Sequence, residues 1–251
     1  MAAATAQAAN HLIDLAESRL SFTTASSSAL DSGAGSGVLT EALAKRFPHL
    51  SILACDLAPA MLAQLEAKKL PNVLTMEADA CDVGNPKIQA DTFSHVLSTF
   101  MIQFTGEPTR SLQEMHRVLR PGGIIALGSW IDIGINWPWE EACKLLDPDF
   151  IPQSPFAEGA WRSAEDVERA MQEVGFVDIS SREVSVCLNF NGTEEFVEYW
   201  YSAKNPGMLK MQSAWKGDIE DVREMLKDVV KTRYGGGHVF PMKVALTIAM
   251  K

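Results

Sequence analysis

The 251-residue sequence predicts an α/β fold in which helices cover a mainly parallel sheet. Short apolar segments rich in β-branched residues alternate with segments whose apolar residues recur at helical spacing, which is the pattern of βαβ units. A cluster of glycines, Gly33, Gly35 and Gly37, stands between the first apolar segment and the next helix. Many α/β proteins bind a ligand at such a turn. The hydrophobic fraction, 47%, is sufficient for one core, and we expect a single domain.

Up to residue 130 the predicted elements follow one another in regular order. A helix over residues 11–20 comes first, and residues 25–30 lead into the glycine cluster. Further strands are predicted at residues 50–55, 72–77, 93–98 and 124–130. The helices between them are predicted at residues 38–47, 59–69 and 109–119. Pro48 ends the first of these helices, and the turn Pro121-Gly122-Gly123 ends the third.

The alternation breaks after Trp130. Residues 131–156 hold four prolines and two tryptophans, and we interpret residues 131–161 as an irregular insertion. A helix is predicted over residues 163–174, because Ser163 and Asp166 resemble a capping box and Gly175 can end the helix. A strand over residues 176–190, helices over 193–204 and 218–231, and an apolar run over 238–250 complete the chain.

Composition excludes several classes of function. The net charge of −10 disfavours a DNA or RNA substrate, because phosphate-binding surfaces carry an excess of Lys and Arg. The four cysteines lack CxxC spacing, so we expect no zinc cluster, no disulfide framework and no metal site. No apolar stretch approaches the roughly 20 residues that span a bilayer, and the first residues do not resemble a signal peptide. We therefore expect a cytoplasmic protein.

Carboxylates end three successive predicted strands. They are Asp31, Asp56 and Asp79. The carboxyl ends of parallel strands meet at one edge of a sheet, where Asp56 can accept hydrogen bonds from ribose hydroxyls and Asp79 can meet an adenine amine. The glycine cluster is compatible with NAD, FAD or S-adenosylmethionine. NAD stays an alternative because Asp56 lies about 20 residues beyond the glycines, as the dinucleotide fingerprint requires.

The segments LDSGAGSG, LACDLAPAML, EADACDV, FSHVLSTFMIQF and EMHRVLRPGGIIALGSW together resemble the class I S-adenosylmethionine-dependent methyltransferases. The resemblance covers residues 29–130 and is to the small-molecule type that includes the ubiquinone/menaquinone and trans-aconitate methyltransferases. It implies a Rossmann-like, doubly wound sheet of seven strands, mostly parallel, with an antiparallel last strand. It also implies an amino-terminal cap (residues 1–28), a cofactor-binding half (29–130), a helical and aromatic lid insertion (131–161), and carboxyl-terminal strands and substrate-side helices (162–251).

The resemblance further implies which residues hold S-adenosylmethionine. They run from the methionine half of the cofactor through the ribose and adenine to the sulfonium, and they are Asp31, Gly33, Ala34, Gly35, Gly37, Asp56, Leu57, Met61, Asp79, Ala80, Cys81, Ser98, Thr99 and Phe100. A hydride-transferring enzyme should show its own catalytic Lys, Tyr or His, and no such constellation stands out in the sequence. These observations favour methyl transfer over NAD chemistry.

The acceptor is expected to be a small, apolar or aromatic molecule. The residues expected to contact it follow the fourth strand or form an aromatic lid, and they are Phe100, Met101, Gln103, Phe104, Trp137, Trp139, Tyr199, Trp200 and Tyr201. His11 and His238 are the two candidates for a general base, while His49, His95 and His116 are interpreted as structural.

The sequence thus predicts methyl transfer from S-adenosylmethionine to an O, N or S atom of a small-molecule metabolite. A non-methylating S-adenosylmethionine-binding protein, such as a cyclase, an isomerase or a regulatory subunit, is the alternative, because a fold does not fix a reaction. An NAD-dependent oxidoreductase is a weaker alternative. Base methylation lacks its usual Asn-Pro-Pro-Tyr/Phe and Pro-Cys motifs, and the oligomeric state stays open.

Overall fold

The computed structural model describes residues 2–83, 88–156, 161–202 and 206–251. By its internal contacts the chain divides into two units, which we describe separately. Unit 1 consists of residues 1–131, 159–184 and 244–251, and unit 2 of residues 132–158 and 185–243. Residues 157–160 of the predicted insertion, and 203–204 of a predicted helix, lie outside the described residues.

The described residues form a seven-stranded sheet in the order β3-β2-β1-β4-β5-β7-β6. The strands are β1 (Ser28–Ser32), β2 (Ser51–Asp56), β3 (Val73–Glu77), β4 (Phe93–Thr99), β5 (Leu119–Ile133), β6 (Val177–Asn189) and β7 (Val239–Met250). The strand pairs β1–β2, β1–β4, β2–β3 and β4–β5 are parallel, and the last strands are antiparallel. This arrangement confirms the predicted Rossmann-like fold class.

The helices follow the predicted order with additions. They are α1 (Ala2–Arg19), α2 (Val38–Arg46), α3 (Pro59–Glu66), α4 (Pro108–Val118), α5 (Trp137–Leu146), α6 (Ala164–Val174), α7 (Thr193–Ser202), α8 (Pro206–Ser213) and α9 (Ile219–Arg233). Short 3₁₀ turns occupy Gly134–Asn136 and Gly235–Gly237. In the part of the chain that the structure describes, none of these helices combines the length and the apolar character needed to cross a bilayer.

The topology determines where a ligand can bind. Strand β1 lies between β2 and β4, so the chain runs outward through β2 and β3 and then returns to the other side of β1. Such a reversal opens a crevice at the carboxyl ends of the two strands that flank it. Strand β4 is buried along nearly its whole length, as expected for a strand inside the sheet, and its His95 is buried as well.

The core of unit 1 joins the sheet to two helices. Leu30 of β1 and Ile125 of β5 belong to the same buried cluster as Met115 of α4 and Met171 of α6. Unit 2 has its own aromatic interior, in which the rings of Phe196 and Phe240 stack with their centroids 4.2 Å apart. Each unit therefore contains its own apolar packing.

The segment interpreted as irregular is regular in its first half, and it contains a helix as the resemblance implies. Strand β5 continues to Ile133, a 3₁₀ turn follows, and Trp137 begins the regular helix α5. Pro138 does not break this helix, because it lies in the first turn, where its missing N–H would have no partner in any case. Helix α8 was also not predicted, and α1 begins nine residues earlier than the predicted helix at residue 11.

The cap of α6 gives a stability test for the fold of unit 1. The Ser163 hydroxyl accepts a hydrogen bond from the N–H of Asp166 at 3.1 Å. Ser163→Ala should lower the free energy of unfolding by about 1 kcal/mol, because the helix loses its capping oxygen. Ser163→Thr, which keeps that oxygen, is the control. Chemical denaturation measures both, and equal losses in the two variants would contradict the role of the cap.

Candidate active site

The glycine cluster forms the turn between β1 and α2. The N–H groups of Gly33 and Ala34 both donate to the carbonyl of Cys55, at 2.9 and 2.8 Å, which ties the turn to the end of β2. Gly33, Gly35 and Gly37 all have positive φ, at +74°, +56° and +82°. Residues with a β-carbon rarely adopt this backbone conformation, so the turn requires glycine.

Asp56 connects the two strand ends. Its Oδ2 accepts a hydrogen bond from the N–H of Gly35 at 2.7 Å, and its Oδ1 accepts one from the N–H of Ala58 at 2.8 Å. A carboxylate has about four acceptor sites, so each oxygen keeps capacity for a further donor. Asp56 is only half-buried, and it can still accept hydrogen bonds from the hydroxyls of a ribose.

A cavity of about 350 Å³ opens at this edge of unit 1. It is lined by Ser32, Gly33, Cys55, Asp56, Leu57, Ala78, Asp79, Ala80, Cys81, Met101, Phe104, Thr105, Gly106 and Glu107. The volume lies within the range of small-molecule sites. The structure therefore brings the ends of β1, β2, β3 and β4 together around one cavity, which two of the three strand-end acids, Asp56 and Asp79, line.

Several predicted contacts do not line this cavity. They are Asp31, Ala34, Gly35, Gly37, Met61, Ser98, Thr99, Phe100 and Gln103. Gly35 and Gly37 shape the turn behind it, and Ser98 donates from its hydroxyl to the carbonyl of Ser32 at 2.6 Å. Sequence reasoning missed residues 105–107, which lie between β4 and α4. Their only sequence signal is the Thr105-Gly106-Glu107-Pro108 string, which suggests a turn before a helix.

Asp31 is completely buried beside the cavity-lining residue Ser32. Its Oδ2 accepts a hydrogen bond from Thr40 at 2.5 Å, while its Oδ1 and the Ser32 hydroxyl are buried without a partner among the described residues. Burial, together with the nearby charge of Asp56, raises the pKa of Asp31 to about 7. An unpartnered buried carboxylate oxygen next to the glycine turn fits a ligand that brings a cationic donor, such as an ammonium group.

The end of the site near β3 combines an acid with apolar surface. Asp79 is exposed, and its Oδ1 accepts a hydrogen bond from the N–H of Cys81 at 2.8 Å. The Cys81 thiol is buried and lies 3.2 Å from the Ser111 hydroxyl of α4, so it packs between the cavity and that helix. Leu57 is 66% exposed on the cavity and offers apolar surface to a flat ring, whereas Met61 is exposed outside the lining.

The segment after β4 forms another wall. Phe100 has a φ of +65°, which is unfavourable for a bulky residue and is typical of functional sites. Its ring is 4.0 Å from that of Trp130 and nearly parallel to it. Met101 packs directly on Gly33, where a β-carbon would lie only 2.3 Å from the Met101 Cγ. Phe104, 46% exposed, lines the cavity.

Gln103 was predicted to contact the acceptor, and the structure contradicts this role. The side chain is fully buried. Its Nε2 donates to the carbonyls of Trp130 and Trp161, both at 2.8 Å, and its Oε1 accepts from the N–H of Trp130 at 2.7 Å. Both amide protons are therefore used within the protein, and no N–H of this side chain remains to bind the methyl acceptor.

The five aromatic residues predicted to form a lid all belong to unit 2. Trp139 and Trp200 are fully buried and stack with their ring centroids 4.8 Å apart, so they are core residues of unit 2 instead of lid residues. Tyr201 contacts the same stack and donates from its hydroxyl to the carbonyl of Ile219. Tyr199 packs on Phe190 with a centroid distance of 5.3 Å.

Trp137 is the lid candidate with a substantial exposed surface, at 39%. Its indole N–H donates to Asp132 at 2.9 Å, and its ring lines a second cavity of about 390 Å³ in unit 2, together with Glu140, Lys144 and Arg233. A helix in which one tryptophan is buried and another is exposed shows that the aromatic pattern combines core and surface residues.

Neither proposed general base lines the cavity of unit 1. His11 is exposed on α1, where its carbonyl accepts a hydrogen bond from Arg182, and His238 is exposed in unit 2 just before β7. His95 is a structural residue, as its sequence position suggested. Its ring bonds to Ser94 and to the carbonyl of Leu20, and burial lowers its pKa. No group of three or more potential metal ligands occurs in the described ranges.

Comparison with known proteins agrees with this geometry. Residues 30–127 match the family model described as "Methyltransferase domain". This match, the methyltransferase relatives and the Rossmann-like sheet together support a class I S-adenosylmethionine-dependent methyltransferase. S-adenosylmethionine is therefore the cofactor of the domain. The matched residues include most of β1, the glycine turn, Asp56, Asp79 and the segment after β4.

Similar proteins carry the same class of name. The methyltransferase ucsB of Acremonium sp is 24% identical over 220 residues, which are 80% of this chain and 74% of ucsB. The trans-aconitate 2-methyltransferase of Deinococcus radiodurans is 33% identical over 98 residues, which are 39% of this chain and 36% of that enzyme. The structure of the YcgJ protein from Bacillus has a TM-score of 0.64 at 14% identity and covers 98% of both chains, which shows a shared fold.

The methyltransferase's glycine turn gives a stability test. A β-carbon at Gly37 would lie 2.3 Å from the Cδ1 of Leu65, whereas one at Gly35 would meet no atom within 4 Å. Both have positive φ, so alanine at either position should cost about 1–2 kcal/mol of backbone strain. Gly37→Ala should cost about 1–3 kcal/mol more, because Leu65 must move. Thermal unfolding of the two variants measures the difference, and equal losses would contradict the close packing.

Asp31 gives a pH test. Its folded pKa, about 7, is higher than the ordinary value of 3.8, so the folded state binds more protons than the unfolded state between these values. The free energy of unfolding should therefore fall as pH rises from about 4 to 7, with a slope of up to about 1.4 kcal/mol per pH unit, and then level off.

Asp31→Asn removes this titration while keeping an oxygen for Thr40. The variant should melt at a higher temperature than wild type at pH 8, and nearly at the wild-type temperature at pH 4. Thr40→Val, which removes the hydrogen bond and leaves the carboxyl group, is the comparison variant. If the melting temperatures of wild type and Asp31→Asn change in parallel between pH 4 and pH 8, Asp31 is ionised throughout this range.

Proposed function

We propose that the protein transfers the methyl group of S-adenosylmethionine to an O, N or S atom of a small, apolar or aromatic metabolite. The observation that carries the proposal is the cavity at the end of β1, where Asp56 binds the glycine turn and Asp79 lies at the end of the next strand. The names of similar proteins, including trans-aconitate 2-methyltransferase and ucsB, support the reaction class.

The residues present fit this cofactor at three points. The acceptor capacity left on Asp56 suits the ribose hydroxyls, and exposed Leu57 and Asp79 suit the face and edge of the adenine. The unpartnered oxygen of Asp31 suits the ammonium of the methionine half. The bound sulfonium supplies an already activated methyl group.

The protein's own contribution is positioning and the exclusion of water. Met101 and Phe104 cover the cavity with apolar surface, and the stacked rings of Phe100 and Trp130 support that wall from behind. Such a lining favours an apolar acceptor. We assign the role of general base to neither of the histidines predicted for it, because neither His11 nor His238 lines the cavity.

We also infer that the protein acts in the cytoplasm. Cys55, Cys81 and Cys143 are buried thiols that form no disulfide. Unpaired thiols are typical of proteins in a reducing compartment. The division of one domain into a cap, a cofactor-binding half, an insertion and a carboxyl-terminal part also stays a prediction, with unit 1 containing the proposed cofactor site.

The first test is calorimetric titration with S-adenosylmethionine, S-adenosylhomocysteine and NAD in parallel. We expect micromolar binding of the first two, since Asp56 and Asp79 suit the adenosine and the unpartnered oxygen of Asp31 suits the methionine ammonium. We expect no binding of NAD, which shares the adenosine but has no such ammonium. Binding of NAD alone would overturn the proposal. Binding of S-adenosylmethionine without any S-adenosylhomocysteine formed across a panel of aromatic acceptors would favour the non-methylating alternative.

The second test replaces Asp56 by Asn. The variant loses charge-assisted hydrogen bonds to the ribose, so its affinity for S-adenosylhomocysteine should fall by about tenfold to a hundredfold. Glu77→Gln is the matched control, because Glu77 ends the neighbouring strand β3 but does not line the cavity. Calorimetry measures both variants. Wild-type affinity in Asp56→Asn would refute the assignment of the ribose to Asp56.

A further inference from the structure

One wall of the cavity in unit 1 is the segment that leaves β4. Met101, Phe104 and residues 105–107 line the cavity, so the position of this segment sets the shape of the site. The segment begins at Phe100, whose positive φ is unfavourable for a bulky residue. Such a conformation persists only where the surrounding contacts fix the backbone.

Gln103 supplies the contacts that fix the segment. Its carboxamide bonds to both the N–H and the carbonyl of Trp130, as a residue of a neighbouring strand would. The β4–β5 ladder has its last aligned pair at Thr99 and Gly128, so Gln103 attaches the segment to β5 beyond the ladder. Its remaining N–H donates to the carbonyl of Trp161, in the stretch that leads to α6.

The position of the segment matters at the glycine turn. Met101 lies two residues before Gln103 and packs on Gly33 so closely that no β-carbon would fit there. Met101 and Gly33 both line the cavity. A shift of the segment by an ångström would therefore change the contact between Met101 and Gly33 and the space above the turn.

We propose that Gln103 is a positioning residue for methyl transfer. Its buried carboxamide holds the segment from Phe100 to Glu107 in the geometry that forms the cofactor wall and seats Met101 on Gly33. The inference rests on the proposed function for the identity of the ligand. It replaces the sequence-based expectation that Gln103 contacts the acceptor.

The test compares Gln103→Met with Gln212→Met. Both variants replace an amide by an apolar side chain of similar length. Gln212 of unit 2 donates to the carbonyl of Trp200, so its loss removes one side-chain hydrogen bond to a tryptophan carbonyl from a different part of the chain. We expect Gln103→Met to fold and to bind S-adenosylhomocysteine about tenfold more weakly than wild type. Gln212→Met should bind it as wild type does, whatever its melting temperature.

A second readout follows Met101 itself. The methionines are labelled with carbon-13 in their methyl groups, and the Met101 signal is assigned by its absence in Met101→Leu. Gln103→Met should shift or broaden this signal in the ligand-free protein, and Gln212→Met should leave it unchanged. A loss of stability without a change at Met101 would indicate a purely structural role and would overturn the inference.

The outcomes separate this inference from the proposed function. If wild type fails to bind S-adenosylmethionine and S-adenosylhomocysteine, the proposed function fails, while the Met101 signal still reports on Gln103. If wild type binds and Gln103→Met keeps both wild-type affinity and the wild-type signal, only the inference fails. If Gln103→Met does not fold, Gln103→Asn, whose amide is one methylene shorter, takes its place, and failure of both to fold makes Gln103 structural.

Discussion

The carboxylate of Asp56 holds together the part of the structure on which the site depends. The glycine turn has three residues with positive φ and would be a weak structure by itself. Asp56 fixes it from the next strand by accepting the N–H of Gly35, while its other oxygen accepts the N–H of Ala58 just before α3. One side chain thus positions two backbone segments and still offers acceptor capacity to the cavity.

The other side of the cavity depends on a different set of contacts, around Phe100. There, an unfavourable backbone conformation at Phe100 is stabilised by ring stacking on Trp130 and by the buried amide of Gln103. On each side of the cavity a loop is held against a strand of the sheet. The strand is β2 on the Asp56 side and β5 on the Phe100 side. Binding sites that are built from loops on a rigid sheet combine precise geometry with freedom to vary the loop.

The sequence predicted the sheet well, because the sheet depends on local signals. The apolar runs and the acids that end them, such as Asp56 at the end of β2, place side chains at a sheet edge whatever the rest of the chain does. Gln103 shows the opposite case. Its role follows from partners 27 and 58 residues away, Trp130 and Trp161, which no local pattern indicates.

The predictions made from the aromatic residues and prolines of unit 2 were wrong for a related reason. Trp137 and Trp139 have the same residue type and lie two positions apart, yet one is partly exposed and the other is fully buried. A helix turns by about 200° over two residues, and the packing of neighbouring helices decides which side becomes core. Pro138 suggested a break, but its effect depends on its place in the helix, which the sequence did not reveal.

The buried carboxyl of Asp31 has a consequence for the heat of ligand binding. With a pKa of about 7, it holds a proton in a substantial fraction of molecules at neutral pH, so the folded protein carries less negative charge than its formal −10. An ammonium group that arrives beside it favours the ionised form and expels that proton into the buffer. The enthalpy of binding near pH 7 should then include the ionisation enthalpy of the buffer. The enthalpies measured in phosphate and in Tris would differ by the number of protons released multiplied by the difference between the ionisation enthalpies of the two buffers.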